Sequence, residues 1–208
     1  ADEFGGGRGH LTTRQNIQFH FVKLERCPDA MADMATVDVT TREACGGTVR
    51  TVTACPMAGV CKDEPFDVTP YTDAITKHFL RGDYCQTLPR KFKIALSGCG
   101  HDCALGAIND IGLIAKVKDG QRGFVMKVAG GLSTTPADAH LLHDFIAEDE
   151  LLAACEAVVR VFDRTGNRQN KSRARLKYVL KKLGFDGLRA EYEKEREGIR
   201  ARGAEKNP

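Results

Sequence analysis

Four cysteines in two short runs are the residues best placed to do chemistry: Cys55 and Cys61 form C-x5-C, and Cys99 and Cys103 form C-x3-C. Each run follows a predicted strand, Thr48 to Ala54 for the first and Lys91 to Leu96 for the second. Loops at strand ends can gather four thiolates around one inorganic centre, and a [4Fe–4S] cluster needs one cysteine sulfur per iron without demanding zinc-finger spacing. Structural zinc is the weaker reading, because it takes pairs separated by two to four residues. Four unconnected core or surface cysteines are the remaining one. Cys27, Cys45, Cys85 and Cys155 share no ligand-like spacing, and Cys155 lies on an apolar helical face as a small buried hydrophobe. His101, inside the second run, reads as solvent-facing.

The second group of interest is cationic. Lys91 and Lys93 flank Phe92, so a two-residue strand period sends both ammonium groups off one face while Phe92 packs behind. Two adjacent cations want an anion, and this strand leads straight into the Cys99 loop, within reach of a cluster. Arg14, on the polar face of an alternating run, and Arg50, on the strand before Cys55, would complete a cavity for a small oxyanion and a carboxylate-rich cofactor. Arginine offers bidentate pairing there and lysine a point charge.

Composition bounds the setting. At 208 residues the chain holds one well-buried core plus a smaller appendage, and 42% hydrophobic with 28% charged residues is ordinary for a soluble globular protein. No apolar run approaches the ~18 residues of a membrane span. A formal charge of +3 decides nothing about partners unless the basic residues converge. The opening, ADEFGGGRGHL, has no initiator Met and no signal segment, which suggests a fragment. Eight cysteines without a signal segment favour metal ligation or free thiols in a reducing cytoplasm.

The elements that must position these residues read as α+β, a mixed sheet with helices packed against it. Leu11 to Phe21 alternates as a strand, and Asp29 to Thr36 is a short Ala/Met-rich helix. Pro70 opens a helix through Leu80 with Thr69 as its cap. Ile111 to Val117 and Gly123 to Val128 form a hairpin. Beyond Gly130-Gly131 the chain turns helical, with Leu141, Leu142, Phe145, Leu151, Leu152, Val158, Val159 and Phe162 at helical spacing. Thr165-Gly166-Asn167 stops that helix, and helices over Lys171 to Leu183 and Phe185 to Arg200 follow. The basic stretch Arg164 to Lys182 lacks an aromatic stacking platform, so it reads as a solvated helix and not a nucleic-acid surface.

Through TTRQNIQFHF, VRTVTACPMAGVC, DVTPYTDAI, LPRKFKIALSGCGHDC, AINDIGLIA, VAGGL and RTGNRQNKSRARLKYVLKKLG, the chain resembles the siroheme-dependent nitrite/sulfite reductase family along nearly its whole length. The resemblance implies an oxidoreductase that reduces sulfite to sulfide, or nitrite to ammonia, at a siroheme coupled to a [4Fe–4S] cluster. It implies Cys103 as the thiolate shared with siroheme, and Cys55, Cys61 and Cys99 as the remaining cluster ligands. Arg14, Arg50, Lys91 and Lys93 match the family's anion-binding set, and Thr12, Thr13, Gln15, Asn16 and Asn109 are candidate siroheme contacts.

It also implies a low-potential donor such as ferredoxin, a cytoplasmic location, and neither a nucleic-acid nor a membrane partner. On this basis 1–44 is a fragment of a ferredoxin-like half-domain, 45–165 a siroheme- and cluster-binding domain, and 166–208 a basic helical linker arm. Family members are built from two similar halves, with basic residues from one and cysteines from the other. Here one half carries both, so a missing second half or a second subunit is expected to close the siroheme pocket. The competing readings are a non-catalytic cluster-binding half that docks the catalytic one, and a zinc-stabilised binding module.

Overall fold

In the computed structural model residues 1–203 are described, and the chain divides into two compact units, Ala1–Cys45 and Gly46–Pro208. Residues 204–208 of the expected arm lie outside the described residues.

In the first unit, β1 (Gly9–Leu11) pairs antiparallel with β2 (Ile17–Phe19). The single strand expected over Leu11 to Phe21 is therefore a hairpin. Thr12 Oγ1 accepts from the Arg14 and Asn16 N–H groups at 3.3 and 3.2 Å, and Gln15 takes a positive φ of 58°. The Asn16 side-chain amide closes the turn by donating to the Arg14 carbonyl at 2.8 Å. Hydroxyl and amide side chains that mimic backbone partners outweigh alternation here. Helix α1 (Cys27–Ala35) follows, with Pro28 in its first turn.

The second unit is built on a five-stranded sheet in the order β3 (Thr53–Ala54), β4 (Ile94–Ser97), β5 (Ile111–Lys118), β6 (Gln121–Val128), β7 (His140–Ala147). β3, β4 and β5 are mutually parallel, and β5, β6 and β7 are antiparallel. The sheet is thus mixed, as expected of this α+β fold. Helix α2 (Thr69–Phe79) provides the crossover between β3 and β4, as a parallel connection requires. Its first residue is Thr69 and not the cap, and the Thr69 N–H is received by Asp67 Oδ1 at 2.9 Å. β5 and β6 turn at Asp119-Gly120, both with positive φ, the turn that matches strand twist.

The helix expected to start after Gly131 begins only at Leu151, and His140–Ala147 is the edge strand β7. Pairing with β6 slips twice, between Phe124 and Met126 and between Met126 and Lys127. These bulges place extra residues on β7, so its two buried side chains, Leu142 and Ile146, stand four apart. A bulged strand therefore imitates the i, i+4 spacing of a helix.

Helix α3 (Leu151–Thr165) is buried along most of its length and packs Phe162 against Phe92 of the β4 approach, ring centroids 5.4 Å apart. Helix α4 (Leu176–Ala201) kinks at Gly184, where φ is 72°, matching the break expected between Leu183 and Phe185. The stretch expected as a linker contributes Leu176, Val179, Leu188, Tyr192 and Ile199 to the same core. Each such buried apolar side chain adds roughly 1.5–3 kcal/mol. No helix among the described residues is long and apolar enough to cross a membrane.

Candidate functional site

Parallel pairing brings the two cysteine runs together. Ala54 is in register with Leu96, and the Cys55 N–H donates to the Leu96 carbonyl at 2.8 Å, so the chain leaves β3 and β4 at the same sheet edge. Cys55 and Cys99 are buried, Cys61 is half-buried and Cys103 is exposed. Partial desolvation, followed by the neighbouring Cys55, Cys99 and Cys61 thiols, holds the Cys103 thiol above its ordinary range. The other three sulfurs thus lie within electrostatic reach of Cys103. Among the described residues, no three His, Cys, Asp or Glu side chains are grouped to hold a single metal ion. A set of four thiols has the donor chemistry of a multi-iron cluster.

The second loop is held by residues that the spacing of cysteines does not reveal. Asp102 Oδ1 accepts from the Ser97 hydroxyl at 2.7 Å and the Gly106 N–H at 2.8 Å, while Oδ2 accepts from the Ala107 N–H at 3.1 Å. Ser97 Oγ in turn receives the Ala104 N–H at 3.1 Å. The loop then presses on β5, since a Cβ on Gly112 would stand 2.4 Å from the Gly106 carbonyl oxygen. Glu64 lies over Gly98, and its Oε2 is buried without a hydrogen-bond partner. His101 is largely exposed and stands 3.7 Å from Asp63 of the first loop. Cys155 is fully buried on α3, where burial pushes its thiol up to about 12.

The cations assemble at the other end of β4. The Arg50 N–H donates to the Phe92 carbonyl at 2.8 Å, which seats Arg50 beside the Lys91–Lys93 segment, and its guanidinium donates to the Gly46 carbonyl. Phe92 is fully buried, and Lys91 and Lys93 are half-buried on either side of it. Burial, then the positive charges of Arg175, Arg50 and Arg90, lower the Lys91 ammonium below its ordinary value. Lys93 precedes β4 and Cys99 lies two residues beyond it, so the cations and the thiols flank opposite ends of the strand. Six residues of extended chain span at most ~20 Å.

Arg14, Thr12, Thr13, Gln15 and Asn16 belong to the first unit, in its hairpin turn. Asn109 is buried, and its side-chain amide donates to the Leu105 carbonyl at 2.7 Å. Of the eight cations in the basic stretch expected to be solvated, Arg164, Arg168, Lys171, Arg173, Lys181 and Lys182 are exposed, while Arg175 and Lys177 are drawn inward. Arg164 pairs with Glu191 and Glu195, and Arg168 with Asp163. The buried Lys177 ammonium donates to the carbonyls of Gly131, Leu132 and Thr135 at 3.3, 2.7 and 2.6 Å. Arg175 reaches the fully buried Asp110, Nε to Oδ1 at 3.1 Å and Nη2 to Oδ2 at 2.8 Å.

Comparison with known proteins agrees with this fold. Residues 45–200 match the family described as "Nitrite and sulphite reductase 4Fe-4S domain", and residues 1–37 match the "Nitrite/Sulfite reductase ferredoxin-like half domain". The chain belongs to the nitrite and sulphite reductase 4Fe-4S domain family. It is 38% identical over 201 residues to the assimilatory ferredoxin-dependent nitrite reductase of Haloferax mediterranei, covering 93% of this chain and 34% of that protein. It is 33% identical over 196 residues to a ferredoxin sulfite reductase of Mycobacterium tuberculosis, covering 94% and 35%. The solved structure of Mycobacterium tuberculosis NirA protein superposes with a TM-score of 0.85 at 32% identity, over 94% of this chain and 36% of that one. Dissimilatory sulfite reductase I shares the fold, with a TM-score of 0.78 at 16% identity, over 92% of this chain and 63% of that one. The chain spans about a third of the length of the curated relatives it matches.

Proposed function

We propose that this chain supplies a cluster-bearing half of a siroheme- and [4Fe–4S]-dependent reductase that acts on nitrite or sulfite in the cytoplasm. The observation that carries the reading is the convergence of Cys55, Cys61, Cys99 and Cys103 from two loops at one sheet edge. The names of the relatives support the substrates and a ferredoxin-type donor. The four thiolates would hold the cluster, with Cys103 also offered to siroheme. Together these groups would supply the electron transfer and the metal chemistry of the reduction.

The chain's own cations have a separate task. Lys91, Lys93 and Arg50 would bind and orient substrate oxygens and stabilise the charge that develops on them. Lys91, more acidic than an ordinary lysine, gives up its proton more readily. Arg14 is assigned to the same anion set, and Thr12, Thr13, Gln15, Asn16 and Asn109 to siroheme. The division into 1–44, 45–165 and a basic arm over 166–208 goes with this reading. A missing second half or a second subunit would close the siroheme pocket.

The test is anaerobic reconstitution of the chain, followed by iron and sulfide analysis. About four of each per chain are expected, with loss in Cys103→Ser. One equivalent of zinc without sulfide would instead make this a zinc-stabilised module. The separation along β4 also favours a second reading, a non-catalytic half that docks the catalytic one. On that reading the Lys91→Ala/Lys93→Ala variant of the complete enzyme keeps its turnover with reduced viologen, whereas the catalytic reading requires a heavy loss.

A further inference from the structure

Resting on that reading of the cation set, we propose that Arg175 is a positioning residue for the anion site: it occupies both oxygens of buried Asp110 and so keeps that carboxylate from capturing Lys91 and Lys93. The geometry is specific. Asp110 is fully buried, and the side chain of Arg175 is only 12% exposed. The guanidinium fork meets the carboxylate through Nε and Nη2, and the Lys93 backbone N–H adds a third bond to Oδ2 at 2.8 Å. Asp110 stands immediately before β5, whose Ile111 is in register with Ile94. The pair therefore sits under the segment that carries both lysines.

A buried carboxylate must be answered by charge or protonated. Burial pushes the Asp110 carboxyl up, while Arg175 and then Lys93 pull it back. Lys91 in turn feels the acidic Asp110 against Arg175, Arg50 and Arg90. Without the guanidinium, Lys93 and Lys91 are cations that remain within electrostatic reach of Asp110. Flexible ammonium groups would turn towards Asp110 and lose their aim at an anion. Arginine suits the task because its planar fork satisfies both oxygens in one geometry, which a lysine in its place cannot.

The experiment titrates sulfite into the chain and follows the Lys91 and Lys93 amides by NMR, with thermal unfolding recorded in parallel. Arg175→Gln is expected to weaken sulfite binding about tenfold, and Arg175→Lys about threefold. Asp110→Asn/Arg175→Gln, which removes the competing carboxylate along with its partner, is expected to bind within about twofold of the unaltered chain even if it melts lower. A double variant as weak as Arg175→Gln would overturn the proposal, because a purely structural role predicts no rescue. Unchanged binding in Arg175→Gln would overturn it as well. Should Arg175→Gln fail to fold, Arg175→Lys and the double variant carry the decision, and unchanged binding in Arg175→Lys then counts against it. Lys91→Ala/Lys93→Ala separates the two levels: if that variant binds sulfite as the unaltered chain does, the anion-site reading itself fails, whereas loss there with no effect in the Arg175 series refutes only this inference.

Discussion

The Ser97 hydroxyl donates to the Asp102 carboxylate at 2.7 Å, joining the last residue of β4 to the residue before Cys103. The same carboxylate receives the N–H groups of Gly106 and Ala107, so one side chain shapes the whole turn that presents Cys103. Asp102→Ala should destabilise the chain by ~2–3 kcal/mol in urea unfolding. It should also lower iron retention after reconstitution more than Asp102→Asn, which keeps an acceptor oxygen. Equal retention in both variants would show that the turn holds without this carboxylate.

Gly112 is required by contact with the loop. A Cβ there would stand 2.4 Å from the Gly106 carbonyl oxygen and 2.7 Å from the Gly106 Cα, both backbone atoms. Gly112→Ala should therefore cost ~1–3 kcal/mol by forcing the loop off β5. Urea unfolding measures the cost, and near-UV circular dichroism should register the shifted loop.

Lys177 anchors the start of α4 by donating to three carbonyls of the 131–135 loop from a buried position. Lys177→Met preserves most of the volume but strands those acceptors. The expected loss is about 3 kcal/mol. Amide hydrogen exchange should accelerate around Gly131 to Thr135, and exchange unchanged there would mean that the loop is held by other contacts.

Glu156 of α3 links two helices, with His78 Nε2 of α2 at 2.9 Å and Arg160 Nε at 2.6 Å. Burial pushes its carboxyl up, but His78 and Arg160 outweigh that and leave it below the ordinary glutamate value of 4.5. A carboxyl depressed on folding contributes stability above its unfolded value and loses it as pH falls through the folded one. Stability should thus decline below about pH 4.5, and Glu156→Gln should flatten that decline while costing roughly 3 kcal/mol at neutral pH. Thermal unfolding between pH 3 and 7 measures both effects. An acid limb equally steep in the variant would assign the dependence to other carboxyls.

The cysteine spacing was legible because β-strand ends and loop lengths are local properties, and parallel pairing of Ala54 with Leu96 supplied the rest. What local reasoning could not reach were consequences of register. Leu142 and Ile146 look helical only because bulges displace β7 against β6. Thr12 and Asn16 look like strand residues until their side chains are seen closing a turn. Arg175 was legible as a cation but not as the partner of Asp110, 65 positions away, since no periodicity encodes a pair at that distance.

β3 contributes only Thr53 and Ala54 to the outer margin of the sheet, and Cys55 begins where that pairing ends. Such a short border strand is the seam along which the fold would first come undone. Fraying there would carry off Cys55 and Cys61 while Cys99 and Cys103 stayed with the firmly paired β4. An inorganic centre spanning the two loops would act as a clasp on this seam, so damage to the centre and loosening of the border would each promote the other.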